Sequence, residues 1–563
     1  MRKHIAHLLI LSFVFALGSG CGSTKKLAKK GLTYEQQQAF NNMFFEASKQ
    51  KVLGNFSEAA RLYILAVQSN PNSHASMYEL GNIYFTNRNH TNGIYWAEKA
   101  VATNPKYNFW YVEQLATAYS QIGEYRKSAD LYSIIVSEDP NRKKSYLDAS
   151  DQLVNIREYK EALDVLNKFQ KRFGVIEEIS RKKQILYFQL DRPQDAIKAM
   201  KELVASNAKE TRYKALLAET YIRYKQYDLA EKTYLNMLVN DSLNGMVHFG
   251  LANLYQETNK PNKVFAHLKL AFSDGLLPIE QKIRVLTTYF ERMKTEDSSR
   301  IEARALSEIL VKKHPNDPDG RVMRADILYH TSDFDNARKN LLLATSYDPS
   351  QLKIWQKLLS LDDELNNFIW IEEDSKGALE YFPNQPFLYI INAFANYRLQ
   401  NYARAVKVAE AGLEISLMKN DKIDLMATLA DSHNELGNFA KSDAYFDELL
   451  ELNPKNDGAL NNYAYYLAIR NVHLDKALTM IELAISLNND RPSYQDTYGW
   501  IYFQKEEYTK AKEIFEALYL VLSDDAEVIE HFGKTLLKLG ETGRGDELLQ
   551  EAAEIKQKES VVK

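Results

Sequence analysis

Few residues in this sequence could carry out catalysis, and none stands in a complete catalytic motif. Gly533, Lys534 and Thr535 have the order found at the end of a phosphate-binding loop, where the lysine and the hydroxyl contact phosphate and Mg²⁺. That loop also needs a glycine five residues before Gly533, but Val528 stands there, in a stretch predicted to be helical. No H-E-x-x-H, nucleophile-elbow or EF-hand pattern is present. The sequence therefore predicts a protein that is not an enzyme.

Two acidic runs and the histidines are the candidates for binding a metal ion. Neither run, 362–364 or 372–374, has the alternating ligand spacing of a calcium loop, so we interpret both as solvated helix ends. The 11 histidines are dispersed along the chain. His433 stands where an aromatic residue is usual, and we interpret it as a residue between helices rather than a base or a ligand. The sequence predicts no metal site and no cofactor.

Cys21 is the only cysteine, and its position predicts a covalent modification. It follows a basic start, an apolar run from Leu8 to Leu17 and three small residues, Gly18 to Gly20. This is the pattern of an export signal, and the apolar run is too short for a transmembrane helix. A single cysteine also excludes disulfide bonds within one chain and zinc sites built from several cysteines.

The end of this segment resembles the lipobox of bacterial lipoproteins, in which the cysteine is lipidated and becomes the mature N-terminus. The resemblance implies a lipoprotein signal peptide over residues 1–20 and a lipidated Cys21 with a flexible basic tether over 21–35. The match is partial, because Gly18 replaces the usual leucine and Leu17 lies one residue further away. Ordinary secretory cleavage near Gly20 is the alternative. No acidic cluster follows Cys21, which favours the outer membrane facing the periplasm over the cell surface.

Composition indicates an all-α protein that does not bind nucleic acid. The chain has 563 residues with only 22 glycines and 13 prolines, and no stretch has the pattern of a βαβ unit or of alternating strands. Its formal net charge of −4 is small, and no large basic patch is present to bind phosphates.

A 34-residue repeat organises the middle of the chain. Two series of residues recur at that step, the second nine residues behind the first: Tyr187, Tyr221 and Tyr255, and then Ala196, Ala230 and Val264. A small residue nine positions after an aromatic residue is typical of two helices in close contact. We expect all six side chains to be buried between helical hairpins.

The prolines support this repeat. Proline inside a helix costs about 3 kcal/mol, so a correct assignment should place every proline at a turn or a boundary. All 13 prolines meet this condition. Seven of them close predicted hairpins: Pro71, Pro105, Pro140, Pro315, Pro349, Pro383 and Pro454.

With this spacing, residues from about 36 to 559 resemble tetratricopeptide repeat (TPR) proteins. The resemblance implies an all-α solenoid of about fifteen stacked TPR helical hairpins. Two slips in the repeat phase divide it into block 1 (36–278), block 2 (279–419) and block 3 (420–559), followed by a tail (560–563). The last two blocks, especially SYQDTYGWIYFQKEEYTKA, look like TPR lipoproteins of Gram-negative, Bacteroidota-type outer membranes.

Helical geometry predicts which residues line a concave binding groove, because one face of each first helix packs on the next hairpin and another face is left for a partner. Four of the predicted residues form an apolar stripe on one helix, and the aromatic ones are candidate anchors for an extended peptide or a partner helix. The alternative is that about half of the aromatic residues belong to the core. The predicted groove residues are Tyr78, Asn82, Phe85, Trp110, Glu113, Phe249, Asn253, the stripe Phe387, Ile390, Phe394 and Tyr397, and Tyr465, Asp496, Trp500 and Phe503.

These observations predict a lipid-anchored, non-enzymatic TPR scaffold that binds protein partners, in outer-membrane assembly or secretion. The membrane is contacted through the lipid anchor, and no small-molecule ligand is expected. A peptidoglycan- or glycan-handling module that assists an envelope enzyme is the alternative, with Trp110 and Trp500 exposed to stack on sugars. A cytoplasmic TPR regulator is a third interpretation, and it requires the first 21 residues to have no function.

Overall fold

The structure is a computed structural model that describes residues 32–562, with side chains to residue 558. The predicted signal peptide and Cys21 lie outside these residues. Within the described range the chain is helical and contains no strand. It divides into two compact units, unit 1 ending at Asn240 and unit 2 beginning at Asp241. This boundary coincides with neither predicted phase slip, and the division into three blocks remains a prediction.

The described residues of unit 1, from 32 onwards, contain twelve helices that pack in sequence as six hairpins. Among these twelve, each odd-numbered helix is the first helix of a hairpin, and the next even-numbered helix is the second. The helices are α1 (Tyr34–Val52), α2 (Phe56–Ser69), α3 (His74–Thr86), α4 (His90–Thr103), α5 (Phe109–Gln121), α6 (Tyr125–Glu138), α7 (Lys143–Asn155), α8 (Tyr159–Phe173), α9 (Glu177–Gln189), α10 (Pro193–Ser206), α11 (Thr211–Arg223) and α12 (Tyr227–Leu238).

Unit 2 continues the same pattern, beginning with α13 (Gly245–Glu257) and α14 (Pro261–Ser273). Its second hairpin, the eighth of the chain, is irregular, because α15 (Ile279–Thr287) and α16 (Tyr289–Met293) together stand in for a first helix before α17 (Asp297–Lys313). Seven regular hairpins follow: α18 (Pro318–His330), α19 (Phe334–Tyr347), α20 (Leu352–Glu364), α21 (Phe368–Tyr381), α22 (Pro386–Arg398), α23 (Tyr402–Ile415), α24 (Lys419–Glu435), α25 (Phe439–Leu452), α26 (Asp457–Ile469), α27 (Leu474–Leu487), α28 (Pro492–Gln504), α29 (Tyr508–Tyr519), α30 (Ala526–Lys538) and α31 (Thr542–Val562). With six hairpins in unit 1 and nine in unit 2, the predicted all-α fold of about fifteen hairpins is confirmed.

The turn inside each hairpin has a common feature in all but the eighth. One residue adopts positive φ, and the next backbone N–H then bonds back to the end of the first helix, as when Asn89 N–H donates to the Tyr84 carbonyl at 2.9 Å. The turn between α26 and α27 has a second residue with positive φ, His473. Glycine occupies this position only at Gly54, Gly123, Gly437 and Gly540. In the eighth hairpin Lys294 keeps helical φ and ψ, so that turn has a different geometry.

Close contact between helices depends on small or flat residues at fixed positions, as the repeat predicts. All six residues of the two central series are buried, with Ala196 and Ala230 fully inaccessible. Gly499 shows why size matters, since a Cβ atom there would lie 2.8 Å from the ring of Phe515. The prediction that these series are structural is confirmed.

The acidic runs are not solvated helix ends throughout. Asp362 is fully buried and Asp374 nearly so, because both carboxylates bind Arg338, which projects from α19 and lies over Trp370 at 4.2 Å. Burial raises the pKa of Asp374 to about 7. The interpretation of these two acids as solvated was therefore wrong, since the arginine that receives them lies in the preceding hairpin.

Two other sequence interpretations hold. His433 is buried and stacks on Tyr445 with ring centroids 5.8 Å apart, so it lies between helices. Gly533 lies inside α30, where a Cβ atom would be 3.0 Å from the carbonyl oxygen of Gly545. Its place in the Gly-Lys-Thr sequence therefore follows from helix packing.

Candidate functional site

The predicted groove residues share one face of the first helices. Most first helices carry a small residue where they meet the second helix of their hairpin, and Gln184 in α9 and Leu359 in α20 occupy the same position. The predicted residues lie six or three positions before this reference position, or one or four positions after it. These reference residues are Gly81, Ala116, Ala252, Ala393, Ala464 and Gly499 in the helices that carry predictions. Consecutive first helices also contact one another, as α22 does α24 and α28 does α30. We call their shared surface the first-helix face.

A recurring polar contact runs along the first-helix face within each unit. The residue two positions before the reference position binds the residue one position after the reference position of the preceding hairpin. The pairs are Gln114 with Asn82 (Nε2–Oδ1 2.7 Å), Lys182 with Asp151 (Nζ–Oδ1 2.5 Å), Lys357 with Asp326 (Nζ–Oδ1 2.6 Å) and Asn462 with Asp431 (Nδ2–Oδ1 3.4 Å). The next hairpin therefore contacts a position that the sequence analysis assigned to the groove, although Asp151 stays exposed.

In unit 1 the predicted groove residues differ in solvent exposure. Trp110 is 60% exposed, whereas Tyr78 stacks on Tyr111 with ring centroids 4.9 Å apart. Phe85 lies against Gly93 of its own hairpin, which leaves no space there for a Cβ atom, and so it contributes to the core. Asn82 is held by Gln114, and Glu113 is half-buried. Trp110 is thus the open aromatic residue of this predicted set.

At the start of unit 2, Phe249 is half-buried and Asn253 is exposed on α13. The nearby histidines belong to the structure of this hairpin. His248 is buried, and its Nδ1 lies 3.0 Å from Nδ1 of His267.

The apolar stripe on α22 is only partly open. Phe387 and Ile390 pack against the core, and burial raises the pKa of Tyr397, whose hydroxyl is hydrogen-bonded with Tyr466. Phe394 is different, because 42% of it is exposed. The stripe that the sequence predicted therefore reduces to Phe394 with half-buried neighbours.

One side of the Phe394 ring contacts Phe368 and Arg398. It meets Phe368 edge to face at 6.0 Å, and the guanidinium of Arg398 lies over both rings, 4.3 Å from Phe368 and 5.8 Å from Phe394. No ion pair of Arg398 with a described carboxylate is present. The result is an aromatic surface with a cation beside it.

A half-buried acid that the sequence analysis missed, Asp431, lies between α24 and α26. Asp431 accepts hydrogen bonds from the Tyr466 hydroxyl and from Asn462, and Tyr466 also meets Tyr397 of α22. Burial raises the pKa of Asp431 to about 6. The 31-residue separation of an amide and an acid is the sequence signal that would have found this contact.

The prediction of exposed groove residues is wrong for Asp496 and Trp500, of which only 8% and 7% are accessible. His531 of α30 covers both, because its Nδ1 lies 3.0 Å from Asp496 Oδ1 and its ring stacks on Trp500 at 4.1 Å. Phe503 stacks on Trp500 with ring centroids 4.6 Å apart, and it is half-buried. Trp500 is therefore not free to stack on a sugar.

Tyr465 joins this region across two hairpins. Its hydroxyl donates to Glu527 Oε1 at 2.5 Å, so that a residue of α26 reaches α30 over α28. Burial and this contact with a carboxylate raise the pKa of Tyr465. Glu527 and His531 were not among the predicted site residues. Glu527 lies six positions before Gly533, at a position used for the prediction, but no residue of α30 was selected, and His531 lies two positions before Gly533, outside those positions.

Two segments of the chain match family models of the tetratricopeptide repeat, residues 50–108 and residues 423–456. The first lies in unit 1 and the second in unit 2. The chain therefore contains TPR repeats, a scaffold that mediates protein–protein interaction and is typically non-catalytic. A comparison with curated proteins gives no match.

Solved structures with a similar helical arrangement share little sequence with this chain. The structure of Naa15/Naa10 bound to HypK-THB has 14% identity and a TM-score of 0.36, covering 92% of this chain and 96% of that one. The APC/C hetero-tetramer Cut9-Hcn1 has 15% identity and a TM-score of 0.34, covering 86% and 94%. Yeast Tom70 has 14% identity and a TM-score of 0.29, covering 86% and 92%. Among the described residues, no helix is both long enough and apolar enough to cross a membrane.

Proposed function

We propose that this protein is a non-enzymatic, lipid-anchored TPR scaffold of the bacterial envelope that binds a protein partner on the first-helix face of unit 2. The observation that carries this proposal is the 42% exposure of Phe394 at the position where, in α28, the next hairpin covers Trp500. An aromatic side chain that stays open beside half-buried apolar neighbours is a typical anchor for a partner.

The surroundings of Phe394 indicate the chemistry of the partner. An apolar side chain would bury the open face of the ring, and an acidic residue nearby would pair with Arg398. Both requirements are met by a short amphipathic helix or an extended peptide that carries an acid next to an apolar residue. Outer-membrane assembly and secretion are the processes we propose for this interaction.

A site-specific photo-crosslink tests the binding surface. A photoreactive phenylalanine analogue at position 394 should give a discrete crosslinked protein in cells, because that ring lies in the interface. The matched control is the same analogue at position 343, where Leu343 has similar exposure (38%) but lies on the second helix α19. Equal crosslinking at both positions, or none at position 394, contradicts the proposal.

The anchor is supported by the position of Cys21 after three small residues in an export-signal pattern. One acyl chain binds a membrane weakly, so firm anchoring needs the several chains of a mature bacterial lipoprotein. Fractionation of cells that express the native protein and the Cys21→Ser variant tests this part. The native protein should be recovered with the outer membrane and the variant should not; a native protein recovered with the cytoplasm would refute the proposed address.

A glycan-handling role is the second candidate, and the exposure of Trp110 is the observation that favours it. An open indole face can stack on a sugar ring. Binding of the purified protein to cell-wall sacculi, reduced by Trp110→Ala but not by Trp500→Phe, is the result this candidate requires. Unchanged binding in Trp110→Ala removes it.

A further inference from the structure

We propose that Asp496, Glu527 and His531 form a binding site for a divalent transition-metal ion, with Zn²⁺ as the best fit. This site lies on the first-helix face of α28 and α30, and its argument does not depend on the proposed partner. The sequence analysis predicted no metal site, because the three residues are separated along the chain and share no known motif.

The geometry suits a metal ion. One donor atom from each residue can be chosen so that all three lie within 4.8 Å of one another. Asp496 Oδ1 and His531 Nδ1 are only 3.0 Å apart, close to the spacing of about 3.3 Å between ligands of a tetrahedral zinc ion with bonds near 2.0 Å. Glu527 and His531 are four residues apart in α30, which places both on one side of the helix. Glu527 lies at the exposed edge of this group.

The donor set favours zinc over calcium or magnesium. Calcium and magnesium prefer oxygen ligands alone, whereas an imidazole nitrogen with two carboxylates suits Zn²⁺ and related ions. Two carboxylates also balance the charge of a divalent ion. The nearest lysine on the same helix, Lys534, is already paired with Glu530, with Nζ 2.5 Å from Oε1.

Neighbouring residues hold the donors in place, as outer-shell groups do in metal sites. The Tyr465 hydroxyl donates to Glu527 at 2.5 Å, and this fixes one carboxylate oxygen while the other remains available. Trp500 stacks on the His531 ring at 4.1 Å and restrains its rotation. Asp496 and His531 are both more than nine-tenths buried, which limits competition from water. Three ligands leave a fourth coordination position for water or for a side chain of another protein.

The plain alternative is that Asp496 and His531 form a hydrogen-bonded pair that only joins α28 to α30. That alternative gives Glu527 no role beyond its bond with Tyr465 and predicts no saturable metal uptake. The two interpretations differ in a measurable way, because Glu527 is exposed and can be changed without disturbing the buried pair.

The test is calorimetric titration of the full-length protein with ZnCl₂ after removal of metals by a chelator, together with thermal unfolding. We expect one site with a dissociation constant of about 1 μM or tighter and a higher Tm with zinc. Glu527→Gln should weaken binding at least tenfold while leaving the Tm of the chelated protein unchanged. Asp496→Asn, which retains an acceptor for His531, should weaken it as well.

The matched control is Glu516→Gln, which removes the same charge from an exposed position on the neighbouring helix α29 and should leave zinc affinity unchanged. The proposal is overturned if the native protein takes up no zinc at micromolar concentration. It is also overturned if Glu527→Gln and Glu516→Gln bind zinc equally well, since the metal then lies elsewhere.

Discussion

Phe394 on α22 and Trp500 on α28 occupy the same position in their hairpins, one residue after the small residue, yet only one is open. Phe394 is 42% exposed and Trp500 is 7% exposed. Both are large aromatic residues on the first-helix face of unit 2. The difference therefore does not come from their place in the repeat.

The cause lies in the following hairpin. The ring of His531 covers the indole of Trp500 at 4.1 Å, and Lys534 Nζ lies 5.5 Å from the same ring. In the hairpin after Phe394, Thr428 occupies the position of His531, and its short side chain bonds to the carbonyl of Asp424 at 3.2 Å in its own helix. For these two rings, the side chain that the next hairpin brings to the position accounts for the difference in exposure.

The largest expected effect is the difference between the stability losses caused by removing each of the two rings. Trp500→Ala should lower the free energy of unfolding by about 3–5 kcal/mol, because it leaves a cavity in a stacked, buried cluster. Phe394→Ala should cost less than about 1.5 kcal/mol, since much of that ring is already in water. Urea unfolding followed by circular dichroism measures both changes. Similar losses in the two variants would show that the rings are equally buried, against the comparison drawn above.

The second prediction concerns the cover over Trp500. His531→Thr gives α30 the same residue type as Thr428, which occupies the equivalent position in the hairpin after Phe394. It should lower the free energy of unfolding by about 1–3 kcal/mol, because Asp496 stays buried without its donor. Iodide should then quench the fluorescence of Trp500 more strongly than in the native protein. The measurement is made with a chelator present, and subtraction of the Trp500→Phe background removes the other four of the five tryptophans. Unchanged quenching would mean that another side chain shields the indole.

The third prediction uses the equivalent residue of the hairpin that follows Phe394, Asp431 on α24. Its pKa is raised from 3.8 to about 6, so the folded chain holds the proton more tightly than the unfolded chain. Stability should therefore fall as pH rises from about 4 to about 6, by about 2 kcal/mol, since one pKa unit corresponds to about 1.4 kcal/mol. Asp431→Asn keeps an acceptor for Tyr466 and should remove this part of the pH dependence.

Urea midpoints measured from pH 4 to pH 8 on the native protein and Asp431→Asn test this. Glu414→Gln is the control, because Glu414 is an exposed acid on the neighbouring helix α23. A native profile with the same slope as that of Asp431→Asn would place the responsible group elsewhere.

The fold was predictable from sequence because each hairpin repeats its own constraints. Tyr187 and Ala196 have counterparts 34 residues on, and each proline marks a boundary, so local patterns sufficed. The site was predictable only in part. Helix phase alone placed Trp500 in the groove, but its exposure depends on His531, one hairpin later.

The buried acids show the same limit. Asp362 and Asp374 lie in runs of charge that predict solvated ends, and what buries them is Arg338 from the preceding hairpin. A contact between residues 24 or 36 positions apart leaves no periodic trace, unlike the 31-residue pairs that recur along the first helices. Contacts that occur once in the array are the ones that sequence periodicity cannot show.

The smallest expected effect comes from adding the missing cover to Phe394. Thr428→His places an imidazole where α30 has His531, and it should hinder access to position 394 by roughly 0.5 kcal/mol, or about twofold in rate. In the Cys21→Ser background, which has no other thiol, a Phe394→Cys variant can be labelled with a maleimide. Labelling should slow when Thr428→His is added, while a thiol introduced by Leu343→Cys on α19 should react at an unchanged rate. An equal rate at position 394 with and without the histidine would mean that length at this one position does not decide exposure, and that the backbone spacing of α22 and α24 does so instead.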